Sequence, residues 1–150
     1  MAKTHKGYFK CKHPEKYMGN TKGIVYRSGW EFKVMMQLDH DPNVVKWASE
    51  EFSIRYLSPI DKRFHRYFPD FYVEYKDGRK ELIEVKPLHQ VKKPEANRKK
   101  NRKKLLNEIV TYERNKAKWA YAQEWCKQRG VQFKILTEKE LFPKITRKRR

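Results

Sequence analysis

Long apolar runs are missing from this chain. No stretch approaches the roughly 18 residues of a membrane-spanning helix, and the opening Met1-Ala2-Lys3-Thr4-His5-Lys6 lacks the apolar segment of a secretory signal. Cysteine is scarce: Cys11 and Cys126 are too few for a disulfide framework. Cys11 and His13 could form half of a zinc site, but the second Cys/His pair that zinc sites use is absent. The expectation is a soluble protein that stays in the cell that makes it. Acidic residues are also short, with 18 Asp and Glu against 37 Lys and Arg, a formal net charge of +19. A small protein with that excess has a polyanion as its natural partner. Phosphate contacts would give binding with little sequence preference and strong salt dependence. Charge alone does not separate a structural nucleoprotein-like binder from an enzyme.

What is present suffices to fold. Hydrophobic residues make up 38% of the 150 and aromatics 14%, which fits one domain with one core. Residues 1–23 are basic, contain Pro14 and Gly19, and read as an irregular arm or wrapped loop. A helix is expected from Ser28 to Asp39. Ser28 is a good N-cap, Glu31 completes a capping-box pattern, and Glu31, Val34, Met35 and Leu38 share one face. Strands are expected over Val44 to Ala48, Phe52 to Leu57, Phe64 to Tyr75 and Lys80 to Lys86. A basic run over 92–104 precedes a long helix reaching about Gln128. Its expected buried stripe is Leu106, Ile109, Val110, Ala117, Ala120 and Tyr121, with Glu113 falling in the same stripe. Gly130 is a plausible C-cap, Val131 to Leu136 a last strand, and residues 143–150 a basic tail ending Arg-Lys-Arg-Arg. The order implies an α+β domain, a mixed sheet with helices packed against it.

Two of those strands carry acids at their centres, in Phe68-Pro69-Asp70-Phe71 and Leu82-Ile83-Glu84-Val85-Lys86. Alternation puts Glu84 and Lys86 on one face and Ile83 and Val85 on the other. Whether Asp70 joins Glu84 depends on the turn, because a one-residue slip reverses every side chain. A two-residue loop at Asp77-Gly78 would set Asp70 against Val85. A three-residue loop Lys76-Asp77-Gly78, with Gly78 in the left-handed conformation, pairs Tyr75 with Arg79 and sets Asp70 against Glu84. The three-residue loop is the expectation.

Carboxylates opposed at about 5 Å between Cβ atoms repel unless something positive separates them, and oxygen ligands suit Mg2+. Such an ion can acidify a bound water and steady a phosphate oxygen, while Lys86 could orient or deprotonate that water. An exposed, salt-bridged strand pair would account for the same charges. The acids sit amid aromatics on strands that read as buried on both faces, where unpaired charge is costly, and this favours a site. Glu31 would aim inward from its helix as a third acid, or serve the helix cap with Ser28, or do both.

Pro69-Asp70 followed by Glu84-Val85-Lys86 resembles the PD-(D/E)xK nuclease signature, and Glu31 in a preceding helix matches the third acid of many members. More specifically, Tyr26 to Glu31, Trp47 to Glu51, and His65 to Phe71 resemble the head completion nucleases of T-even-like bacteriophages, relatives of the TnsA-type transposase endonucleases. The resemblance covers roughly residues 8–140. It implies a restriction-endonuclease-like core, a mixed central sheet flanked by helices, in a single nuclease domain. It implies Mg2+, with Mn2+ as a possible substitute, and DNA as substrate, double-stranded or branched. Asp70, Glu84 and Lys86 carry over as catalytic positions, with Glu31 as a metal ligand beside Asp70 and Glu84. TnsA enzymes carry Gln at the position of Glu84, so this chain has the commoner acid there. The setting implied is the virion and the host cytoplasm, with phage head, portal or neck proteins as possible partners and no membrane.

Lys92, Lys93, Arg98, Lys99, Lys100, Arg102, Lys103 and Lys104 follow the motif directly and could track a DNA backbone, or form a solvated loop. His65 could contact phosphate or lie idle on the surface. The expected function is a Mg2+-dependent DNA endonuclease of low sequence specificity that processes packaged DNA ends. The alternative is a non-enzymatic DNA-binding head-completion protein on a nuclease-like fold. A Holliday-junction or repair nuclease is a third reading.

Overall fold

The computed structural model describes residues 6–143. The Arg-Lys-Arg-Arg end of the expected basic tail lies outside them. The elements in order are β1 (Gly7–Tyr8), β2 (Val25–Tyr26), α1 (Gly29–His40), β3 (Val44–Ser49), β4 (Ile54–Leu57), β5 (Phe64–Tyr67), β6 (Phe71–Tyr75), β7 (Lys80–Val85), α2 (Leu88–Val91), α3 (Arg102–Arg129), β8 (Gln132–Leu136) and α4 (Glu138–Leu141). The central sheet has the order β3-β6-β7-β8. β3, β6 and β7 run antiparallel, while β8 lies parallel to β7. A parallel neighbour requires a crossover, and α3 supplies it. The fold is therefore the mixed sheet with flanking helices that the sequence implies. No helix among the described residues is long and apolar enough to cross a membrane.

The sheet separates two apolar clusters. On one face Ile83, Val73, Phe71 and Trp47 pack with Val34, Met35 and Leu38 of α1. On the other, Leu82 packs with Trp119, Ala122 and Cys126 of α3 and with Ile54, Tyr56 and Tyr67. From Glu81 to Glu84, β7 is buried on both faces, so Glu81 and Glu84 lie in the interior.

The N-terminal segment is a wrapped loop with two short strands rather than a loose arm. Phe9 and Tyr17 are buried in the α1-side core. The Lys16 ammonium donates to the carbonyls of Leu38, Asp39 and Asp41 at 2.8–2.9 Å, satisfying orphan acceptors at the end of α1.

Several expected boundaries move. Phe64 to Tyr75 is not one strand: it breaks at Phe68-Pro69-Asp70, where proline offers no ladder donor. Its first half pairs with β4 in a separate two-stranded hairpin. The strand expected from Phe52 begins at Ile54. The long helix starts earlier, at Arg102, because the Asn101 side chain caps it by accepting from the Lys104 N–H. The expected stripe on that helix is also mostly wrong, although its Ala117 does pack against the α3-side cluster. Leu106, Ile109, Ala120 and Tyr121 are exposed, and the buried face is Asn115, Trp119, Ala122 and Cys126. Only the C-terminal half of α3 packs on the sheet, so the apolar residues of its first turns do not report the buried face.

The hairpin between β6 and β7 has the three-residue loop. The Tyr75 N–H donates to the Arg79 carbonyl at 2.9 Å and the Gly78 N–H to the Tyr75 carbonyl at 3.0 Å. Gly78 has φ +89°, and nothing lies within 4 Å of where a Cβ would sit. Any substitution there meets backbone strain alone. Gly78→Val is expected to lower stability by about 1–2 kcal/mol, and Gly78→Asn by less, since Asn tolerates positive φ. Denaturant unfolding of the two variants checks this, and equal midpoints for Val and Gly would contradict it.

Candidate active site

The ladder runs Phe71↔Ile83, Tyr72↔Leu82, Val73↔Glu81 and Glu74↔Lys80. Continued by one residue, it sets Asp70 opposite Glu84. Both point to the α3 side of the sheet, with Lys86 following on the same face. The Asp70 Oδ2 accepts from the Val85 N–H at 2.7 Å. The buried Glu84 carboxylate accepts from the Tyr67 hydroxyl through Oε2. No protein hydrogen bond reaches Asp70 Oδ1 or Glu84 Oε1 among the described residues.

This pair is electrostatically uncomfortable. Burial pushes the Asp70 carboxyl well above the usual carboxylate range, and the charge of Glu84 adds to it. Burial raises Glu84 as well, against the Tyr67 hydrogen bond and the attraction of Lys86 and Lys118. Burial and the Glu84 charge raise the Tyr67 phenol, which keeps it a proton donor.

Glu31 caps α1 in a modified way. Ser28 accepts from the Glu31 N–H at 3.2 Å, but the Glu31 carboxylate accepts from the Arg27 N–H at 2.8 Å instead of from Ser28. Its charge still reaches Asp70. Among the described residues, no group of three or more His, Cys, Asp or Glu side chains is gathered tightly enough to hold a metal ion. Glu31 thus stands near the pair without closing a three-acid cage. His65 is bound to Asp61 at 2.6 Å, half-exposed on β5.

The 92–104 run divides between a loop and the first turn of α3. Lys92, Lys93, Lys100, Lys103 and Lys104 line a groove of about 970 Å3 with Tyr112. Lys100 is tied to Glu108 at 2.7 Å, and the rest of the run makes no ion pair among the described residues.

Three participants escape sequence reasoning. Lys118 of α3 has Nζ 5.8 Å from the ring centroids of both Tyr56 and Tyr67. Burial, and the Lys86 charge after it, lower its pKa, while Glu84 and Asp70 oppose the shift. Tyr67 supplies the donor to Glu84. Glu50 follows β3 in a left-handed conformation, φ 51°, and its N–H donates to the Asp70 carbonyl at 3.3 Å. Its carboxylate pairs with Arg27 at 2.7 Å, and burial raises its pKa. A non-glycine residue held at positive φ beside a site is strain of the kind that functional geometry retains.

Two facing carboxylates and a lysine, displayed on a hairpin of a mixed sheet with a parallel outer strand, define a restriction-endonuclease-like core. Residues 41–138 match the family described as TnsA-like endonuclease N terminal, and the chain belongs to that family. It is also similar to the head completion nuclease of Enterobacteria phage T4, 35% identical over 137 residues that cover 89% of this chain and 91% of that protein. The protein is thus a nuclease.

Proposed function

We propose that the protein is a Mg2+-dependent DNA endonuclease of low sequence specificity that processes the ends of packaged DNA during phage head completion. The observation that carries this is the pairing of half-buried Asp70 with buried Glu84, with Lys86 beside it. Both acids are raised by burial, each keeps an oxygen that no hydrogen bond reaches among the described residues, and a divalent cation would relieve their repulsion. Hard oxygen donors fit Mg2+ or Mn2+. Asp70 and Glu84 would hold the ion, with Glu31 or Glu50 adjoining through water. When bound, the ion acidifies water and stabilises phosphoryl charge.

The chain's own groups do the rest. The Val85 N–H and the Tyr67 hydroxyl fix the two carboxylates so that their remaining oxygens face the reacting phosphate. Lys86 orients the attacking water or balances charge on the phosphate. The excess of 37 Lys and Arg over 18 acids supports backbone binding without base readout. The head-completion setting and the virion and host-cytoplasm location rest on the similarity to the phage T4 protein.

Incubation with supercoiled, linear and branched DNA, in Mg2+ or in EDTA, tests the activity. Cleavage in Mg2+ alone, with scattered cut positions, is the expected result. Tight DNA binding with no cleavage of any form would favour a structural head-completion protein. Cleavage restricted to branched DNA would favour a junction nuclease.

A further inference from the structure

The β4–β5 hairpin stands apart from the central sheet. Its inner face is spoken for: Ile54, Tyr56 and Tyr67 join the core under α3, and the Tyr56 ring meets Tyr121 at 6.5 Å. Its outer face carries Arg55 directly opposite Arg66, and Leu57 directly opposite Phe64. Like charges paired across two antiparallel strands destabilise them. Hairpins ordinarily answer such a pair with an acid, and this one does not. Among the described residues, no carboxylate lies within ion-pair distance of Arg55, Arg63 or Arg66. Asp61 in the connecting loop is engaged by His65 and by the Arg63 N–H. The Arg55 guanidinium lies 4.0 Å from the Phe64 ring centroid, which holds it extended over the face. Phe64 is 53% exposed.

An arginine pair that is unneutralised, exposed and clear of the core, with one member braced on an aromatic ring, is complementary to an anion with closely spaced charges. The hairpin is also tied to the site. Tyr67 at its end donates to Glu84, and Arg66 is only four residues from Asp70, so their Cα atoms are at most about 14 Å apart. A duplex seated on the Asp70–Glu84 pair extends past that distance, so its backbone comes within reach of the hairpin.

We propose that the outer face of the β4–β5 hairpin, through Arg55 and Arg66, clamps the DNA backbone beside the scissile phosphate. This surface is separate from the 92–104 groove, and the inference rests on the nuclease reading above. Each arginine neutralises one phosphate, and Phe64 braces Arg55. The cross-strand repulsion is relieved only when the backbone is seated.

The test uses Arg55→Gln, Arg66→Gln and the double variant of the full chain. Binding to a short duplex is measured in EDTA across a salt series, together with thermal melting. Each lost phosphate contact removes about 0.9 from the slope of log affinity against log salt. The double variant should therefore lose nearly two from the slope and bind roughly 30-fold more weakly at about 0.15 M salt. Its melting temperature without DNA should be unchanged or higher, because the like-charge pair is gone. A wild-type slope in the double variant, with the wild type binding and cleaving, overturns the clamp and leaves the nuclease reading standing. A slope loss matched by a lowered melting temperature also overturns it, since the arginines would then be holding the fold. Wild type that neither binds nor cleaves DNA overturns both.

Discussion

Asp70→Asn and Glu84→Gln should each reduce Mg2+-dependent DNA cleavage by roughly 10^3-fold or more, while DNA binding stays equal or tightens. Both substitutions keep shape and hydrogen bonds: Asn can still accept from the Val85 N–H, and Gln from the Tyr67 hydroxyl. What they remove is negative charge. A carboxylate facing a phosphate backbone weakens binding, so its loss does not. The same variants should be more stable than wild type without metal, by about 1–2 kcal/mol at neutral pH. The sign follows from linkage. Both acids have folded pKa values raised above their unfolded ones. Between the two values the folded chain binds more protons than the unfolded one, so wild-type stability falls as pH climbs out of the ordinary carboxylate range toward the raised values. Each amide variant should lose its share of that slope. Cleavage should run the other way in wild type, rising with pH as the pair ionises. Thermal melting across pH, beside cleavage rates, checks both. An amide variant that melts lower than wild type at neutral pH would contradict the strained pair.

Lys86→Met should slow the single-turnover cleavage rate by about 10^2–10^4-fold and change duplex affinity far less. Met keeps the aliphatic stem and removes the ammonium. The residual rate should depend on Lys118, the other cation near the pair, so Lys86→Met with Lys118→Met should fall further than either alone. Single-turnover rates with saturating enzyme, paired with affinities in EDTA, separate the two effects. A Lys86→Met rate near wild type would remove the lysine from the chemistry.

Some of this was legible in the residues because its rule is local. Gly78 allows positive φ, the three-residue loop follows, and that loop fixes the parity that puts Asp70 across from Glu84. Ser28 capped α1 as expected. The misses have physical causes. The apolar residues at the start of α3 suggested a stripe through Leu106 and Tyr121, yet only the later half packs. The true face, Asn115, Trp119, Ala122 and Cys126, places Lys118 three residues after one member and four before another. The correct helical register would thus have pointed to Lys118. Glu50 gave no signal, since its place depends on a left-handed turn after β3 and on the ladder contact with Asp70. The break at Pro69 was readable, but which partner β5 would take was not. Pairing with β4 is a tertiary outcome, and it created the arginine-bearing hairpin.

Asp70 and Glu84 are expected to hold the metal together. Calorimetric titration of Mg2+ into wild type and Glu84→Gln, in two buffers of different protonation enthalpy, tests it directly. Wild type should bind with release of protons, because a raised carboxyl must ionise to become a ligand, and Glu84→Gln should bind much more weakly. Equal affinity in the two proteins, with no protons released, would contradict it.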